Sequence, residues 1–275
     1  MTIEILERFT CGKRPPHNED RIVVTDRHVA VIDGASDPTG LQVAGTSGGA
    51  WVAQATADAI AQLPAGVSAQ AAVATATAAV RAGLAEHAPD RLAPDARRPF
   101  CHLVVYSTAR GELWRLGDGH FRIGNQTRLG SKEVDDVAYR FRRAVLTAHL
   151  AAGADPDELS RTDPGTAAAT ALYAEQHHFQ NRPAHTPLAY GCIDGTDVDP
   201  AHLEIAPVPP GAELVLASDG YTNLTGDLAT AEAALAAAAA RDPLSVHEPL
   251  WRFGKGVQPG NVAPDDRAWV RLRTR

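Results

Sequence analysis

The sequence predicts an α+β fold: a layered sandwich of antiparallel sheets flanked by helices. Three observations support this. β-Rich runs come in pairs separated by two- or three-residue turn signals, as at Asp26-Arg27 and Ala109-Arg110-Gly111, which read as antiparallel hairpins. Long helical patterns lie between groups of strands. The order, hairpins then two helices then more hairpins, departs from the strict strand–helix alternation of a parallel sheet.

Taken in order, strands are expected at 3–9, 21–25 and 28–32, the last a continuous apolar run, "HVAVI". Helices follow at 48–62 and 68–87, then strands at 101–107, 112–116 and 120–123. Further helical patterns cover about 133–152 and 165–178, a strand covers 213–217, and "LATAEAALAAAAA" (228–240) reads as a helix against a sheet. The strand 268–273 closes the chain. Residues from about 153 to 200 are rich in turn-formers, so they are expected to be irregular, a place for loops or a lid.

At 275 residues and 44% hydrophobic composition, the chain suits a single domain, residues 1–275, with a divergent insertion at about 125–205. A net charge of −7 argues against a nucleic-acid footprint, so proteins or small molecules are the expected partners. Cys11, Cys101 and Cys192 have no C-x-x-C spacing and read as free thiols in the cytoplasm. Residues 1–10 lack the apolar core of a signal peptide, and no apolar run is long enough to predict a membrane span.

Four acidic motifs share one placement. Glu19-Asp20 precedes a strand, Asp33 ends one, Asp219 follows one, and Asp265-Asp266 precedes the last. Strand ends on one edge of a sheet bring distant residues together, and clustered carboxylates must take up protons or bind a cation. An all-oxygen set selects Mg²⁺ or Mn²⁺ over zinc. Glycine after Asp33 and after Asp219 permits a tight turn and leaves a carbonyl free as a further ligand. "LGDGHF" (116–121), taken alone, is a hairpin turn on Asp118-Gly119.

Taken in order, "NED" (18–20), "VIDGAS" (31–36), "SGGAWVAQATADAI" (47–60), "LWRLGDGHFRI" (113–123), "LVLASDGYTNL" (214–224) and "DDRAWV" (265–270) resemble the PPM, or type 2C, family of metal-dependent Ser/Thr protein phosphatases. The resemblance implies a four-layer α-β-β-α sandwich with a binuclear Mn²⁺/Mg²⁺ centre at one end. It implies that Asp33 bridges the two ions, that the Gly34 carbonyl completes one coordination sphere, and that Asp219 and Asp265 bind the other ion. Glu19 or Asp20 would hold metal-bound water, and Asp118 matches a position that contributes to a third metal. Asn223 stands where the family has a second aspartate, which leaves a third site doubtful, because an amide is a weaker ligand than a carboxylate. Ala35 stands where some members carry a histidine, and Arg14 is the candidate phosphate-gripping, catalytic arginine. The implied substrate is phospho-Ser/Thr on proteins. The alternatives within the same fold are a small phosphomonoester or a non-catalytic regulatory role.

Two other readings are open to test. "GTSGG" (45–49) satisfies G-x-S-x-G with Ser47 as nucleophile, but no clear strand precedes it, so Ser47 is expected to cap a helix instead. His120, His177, His178 and His185 lack metal-site spacing, and the adjacent pair is expected to point in different directions at a solvated helix end.

Overall fold

The computed structural model describes residues 2–37 and 39–275. The strands are β1 (Ile3–Cys11), β2 (Arg21–Val24), β3 (His28–Gly34), β4 (Gln42–Val43), β5 (Thr46–Ser47), β6 (Cys101–Ser107), β7 (Glu112–Leu116), β8 (His120–Ile123), β9 (Gln126–Arg128), β10 (Leu203–Pro207), β11 (Glu213–Ala217) and β12 (Arg267–Thr274). The helices are α1 (Gly48–Gln62), α2 (Ala69–His87), α3 (Glu133–Ala151), α4 (Pro156–Thr162), α5 (Pro164–Glu175) and α6 (Leu228–Arg241).

Two five-stranded antiparallel sheets carry the fold, in the orders β1-β12-β11-β8-β9 and β10-β7-β6-β3-β2. The period of two along each strand explains why its inner strands read as unbroken apolar runs. In β3, Val29 and Val31 enter the core between the sheets with Val104, Phe121, Leu214 and Val270. Ala30 and Ile32 face the other way, onto α1 and α2 with Val52, Ile60, Val80 and Leu84. On the far sheet, Val215, Ala217 and Trp269 pack with Ala231 of α6. The expected layers are present. Among the described residues, no helix is long and apolar enough to cross a membrane.

The helix starts follow capping chemistry. Ser47 accepts from Ala50 N at 3.3 Å, so its place is the N-cap of α1, as the last residue of a two-residue strand too short to build a nucleophile elbow. Between 153 and 200 the structure is more helical than expected. Asp155-Pro156 and Asp163-Pro164, which read as turn signals, are N-cap and first-turn pairs that start α4 and α5. Arg142 of α3 clamps Asp163 at 3.0 Å and donates to the Leu244 carbonyl, so these helices are anchored to the later chain.

Asp118-Gly119 is not a hairpin turn. β7 and β8 belong to different sheets, so residues 117–119 cross from one sheet to the other. The edge strand β10 escaped detection because it is short, ends on proline and leaves Ile205 exposed.

Candidate metal centre

The ends of β3, β7 and β11 and the start of β12 lie at one end of the sandwich. Asp33 is the penultimate residue of β3, paired with His102 of β6. Asp219 N donates to Asp33 Oδ2 at 3.4 Å. Ser218 fixes this approach, because it exchanges hydrogen bonds with Ala268 of β12: Ser218 N donates to Ala268 O and Ala268 N donates to Ser218 Oγ. Asp33, Asp118 and Asp219 each offer an oxygen within 4.8 Å of the others.

The glycines beside two of these aspartates serve close packing, with no positive φ at either. A Cβ at Gly34 would lie 2.5 Å from the Gly49 carbonyl and 2.7 Å from that of Glu19. A Cβ at Gly220 would lie 1.9 Å from the Asp266 carbonyl. Each glycine lets another backbone segment pass directly behind a cluster aspartate.

The carboxylates divide into two classes by their partners. Burial, reinforced by the charges of Asp20, Asp118 and Asp265, raises the Asp33 carboxyl well above the usual range. Asp219 is raised likewise by burial and by Asp33, Asp118 and Asp265. Asp20 is 2% exposed, the Ser218 hydroxyl approaches its carboxylate without forming a hydrogen bond of acceptable geometry, and burial drives it upward too. Asp118 and Asp265 are different. Burial pushes Asp118 up, but His102 Nδ1 at 2.5 Å from Oδ1 and Lys132 Nζ at 3.0 Å from Oδ2 outweigh it and hold the group well below the ordinary range. For Asp265, Lys255 and Lys13 outweigh burial and bring the carboxyl down to about 2.

The structure separates the two members of the acidic pair. Glu19 accepts hydrogen bonds from the hydroxyls of Ser36 and Ser47, the latter at 2.6 Å, so its charge is already met. Asp20 is buried beside the Ser218 hydroxyl, outside the Asp33, Asp118 and Asp219 group. Asp266 accepts from the backbone N–H groups of Lys13 at 2.7 Å and Glu19 at 2.9 Å, fixing the loop that carries both.

A cavity of about 320 Å³ opens over Asp33, Asp118, Asp219 and Asp265. Arg14 is exposed and does not line it. The cations that do are Arg97, Arg98, Lys132 and Lys255. Arg97 is held by Asp37 and the carbonyls of Tyr173 and Ala174, and Arg98 by the fully buried Asp194. Lys255, 3.7 Å from Asp265, is the most loosely tied. Lys13, Lys132 and Lys255 escaped the sequence reading. Lys132 left one signal: a cation at the N-cap of α3 opposes the helix dipole and implies a tertiary partner.

Asn223 is exposed and accepts from Thr225 N at 2.7 Å, so it is spent in a local turn, away from the cluster. The rings of His177 and His178, expected to diverge, lie with centroids 3.9 Å apart and planes tilted by 38°, where the chain beyond α5 tightens into a 3-10 turn. His120 accepts from Gly130 N and contributes to loop structure.

The donor set fits a hard divalent cation. The side-chain ligands are all oxygen, and Asp33, Asp219 and Asp20 lack the positive partners that buried carboxylates require.

No family model matches the chain, and no curated protein does. Among solved structures, the Mycobacterium tuberculosis serine/threonine phosphatase PstP/Ppp is similar at a TM-score of 0.52 and 18% identity, with 100% of both chains covered. Serine/threonine phosphatase Stp1 from Staphylococcus aureus is similar at a TM-score of 0.50 and 13% identity, covering 100% of this chain and 96% of that one. The chain has the four-layer fold of the PPM-type serine/threonine phosphatases, with its carboxylate cluster at one end of the sandwich.

Proposed function

We propose that the protein is a metal-dependent phosphomonoester hydrolase using Mn²⁺ or Mg²⁺. The observation that carries this reading is the pair of half-buried, mutually repelling carboxylates Asp33 and Asp219, neither in a salt bridge among the described residues, that line a ligand-sized cavity, with the buried Asp20 close by. Asp33 with the Gly34 carbonyl, together with Asp219, would hold the metal. Asp265 would join them for a second ion, and Asp20 would orient water. Asp118 is paired with Lys132, and Asp265 with Lys13 and Lys255, so each would serve a metal only as its lysines give way, and two ions is our reading.

When bound, divalent ions supply an activated water and neutralise charge on the phosphoryl oxygens. The chain's own residues do the rest. Lys255 brings a positive charge to the cavity, placed to meet a phosphate. Arg97 and Arg98 hold the wall through the carbonyls and carboxylates they already contact. Arg14, outside the lining, would reach a phosphate only at the rim. The similar structures are named serine/threonine phosphatases, so a phosphoserine or phosphothreonine residue is the substrate that likeness suggests. Free Cys101 and Cys192, both buried, suit a reducing cytoplasm.

The test is hydrolysis of p-nitrophenyl phosphate with and without Mn²⁺, against Asp33→Asn and Asp219→Asn. Turnover that requires metal and both aspartates supports the reading. A wild-type chain that binds Mn²⁺ and stays inert sinks it, leaving a binding role.

A further inference from the structure

We propose that the cavity selects small phosphomonoesters bearing a flat ring over phosphoserine or phosphothreonine presented by a protein. The proposal rests on the hydrolase reading above and names its substrate class.

The walls carry it. The chain has only six Phe and five Tyr. Two of the former, Phe100 and Phe253, and three of the latter, Tyr139, Tyr173 and Tyr190, converge on this one cavity from separate segments. Tyr139 comes from α3 and Tyr173 from α5, the helices that cover the carboxylate end. Lys132 Nζ lies 5.4 Å from the centroids of both Phe100 and Tyr190, which fixes those two rings next to Asp118. Tyr139 packs its ring edge on Gly254, beside Phe253. The volume, about 320 Å³, is that of a small-molecule site, and the five rings stand among a larger number of charged and polar side chains.

A second observation points the same way. Gln180 and Tyr190 are 6% and 5% exposed, and Gln180 Oε1 and Tyr190 Oη have no hydrogen-bond partner. The Gln180 side chain approaches the Tyr190 hydroxyl without forming a hydrogen bond of acceptable geometry. Both atoms are closed off from solvent, so a ring with a polar edge, such as a nucleobase, meets them only where these side chains turn into the cavity they line. A serine or threonine ester offers these rings only a methylene or a methyl group.

The reaction is hydrolysis: water oxygen bonds to phosphorus, the P–O ester bond breaks, and the leaving oxygen takes a proton. The products are inorganic phosphate and the ring-bearing alcohol.

Calorimetric titration of the Mn²⁺-loaded full chain with phenylphosphonate and methylphosphonate tests the proposal without turnover. Phenylphosphonate is expected to bind about tenfold more tightly, the scale of one favourable ring contact. Tyr173→Leu is expected to bring the two affinities together. Equal affinities in the wild type overturn the proposal. A kinetic comparison of p-nitrophenyl phosphate and nucleoside 5′-monophosphates with a phosphoserine peptide separates the two readings. A peptide turned over faster refutes the ring preference and leaves the hydrolase standing. No turnover of anything sinks the hydrolase reading, and the phosphonate pair alone then decides the cavity's preference.

Discussion

Lys132 Nζ stands 3.0 Å from Asp118 Oδ2 and 2.8 Å from Asp135 Oδ2, buried at the foot of the cavity. The ammonium supplies internally the positive charge that Asp33 and Asp219 lack. Removing one member of a buried ion pair strands the other, at about 3–5 kcal/mol. Lys132→Met is therefore expected to lose about that much stability in EDTA. It is also expected to gain more from added Mn²⁺ than the wild type does, because Asp118 then needs a cation. Urea unfolding of both proteins with and without Mn²⁺ checks this, and an identical metal response in the two would refute it.

Asp33 presents the opposite case. Its carboxyl is raised by burial and by neighbouring carboxylates, so ionising it at neutral pH destabilises the metal-free fold. Asp33→Asn is expected to raise the urea midpoint in EDTA at pH 7.5 while weakening Mn²⁺ binding by about 100-fold, the upper end of what even an outer-sphere loss costs. Calorimetry and unfolding together decide it. A destabilised metal-free variant would show that Asp33 is not repelled by its neighbours.

The contrast between Asp33 and Lys132 marks what the sequence discloses. Asp33 and Asp219 are legible because one lies in the last residues of an apolar strand and the other just past one, each with glycine behind. The strands themselves are legible because both sheet faces are covered. Lys13, Lys132 and Lys255 were missed because a cation's partner is chosen by the tertiary fold and leaves no period in the chain. Asp155-Pro156 and Asp163-Pro164 were misread because the same dipeptide opens turns and helices. Asp118-Gly119 was misread because local turn chemistry cannot report that the flanking strands join different sheets.

Asp266 is not a ligand candidate, yet it ties the loop bearing Lys13 and Glu19 to β12 through two backbone N–H groups. Hydrogen bonds to an ionised acceptor contribute about 1.5–3 kcal/mol. Asp266→Asn turns one acceptor into a donor that faces an N–H. A loss of about 2–3 kcal/mol is expected, with weakened Mn²⁺ affinity because Asp20 shares that loop. Preserved stability by denaturant titration would mean that the loop is held by other contacts.

His28 offers a pH test remote from the metal centre. It is fully buried in β3 against the Trp114 ring, opposite Ser107, and neither ring nitrogen has a hydrogen-bond partner. Burial first, and then the Arg27 charge against a smaller opposing pull from Asp26, lowers its pKa below 6.5. The folded chain thus keeps His28 neutral while the unfolded chain takes up a proton below that value. Its contribution to stability is whole above pH 6.5 and is lost progressively as the pH falls below it. His28→Phe removes both the titration and the two unmet nitrogens. It is expected to be about 1 kcal/mol more stable at pH 7.5 and to show a shallower decline between pH 7 and 5. Urea midpoints across that range measure both effects, and an unchanged slope would show that His28 does not titrate differently on folding.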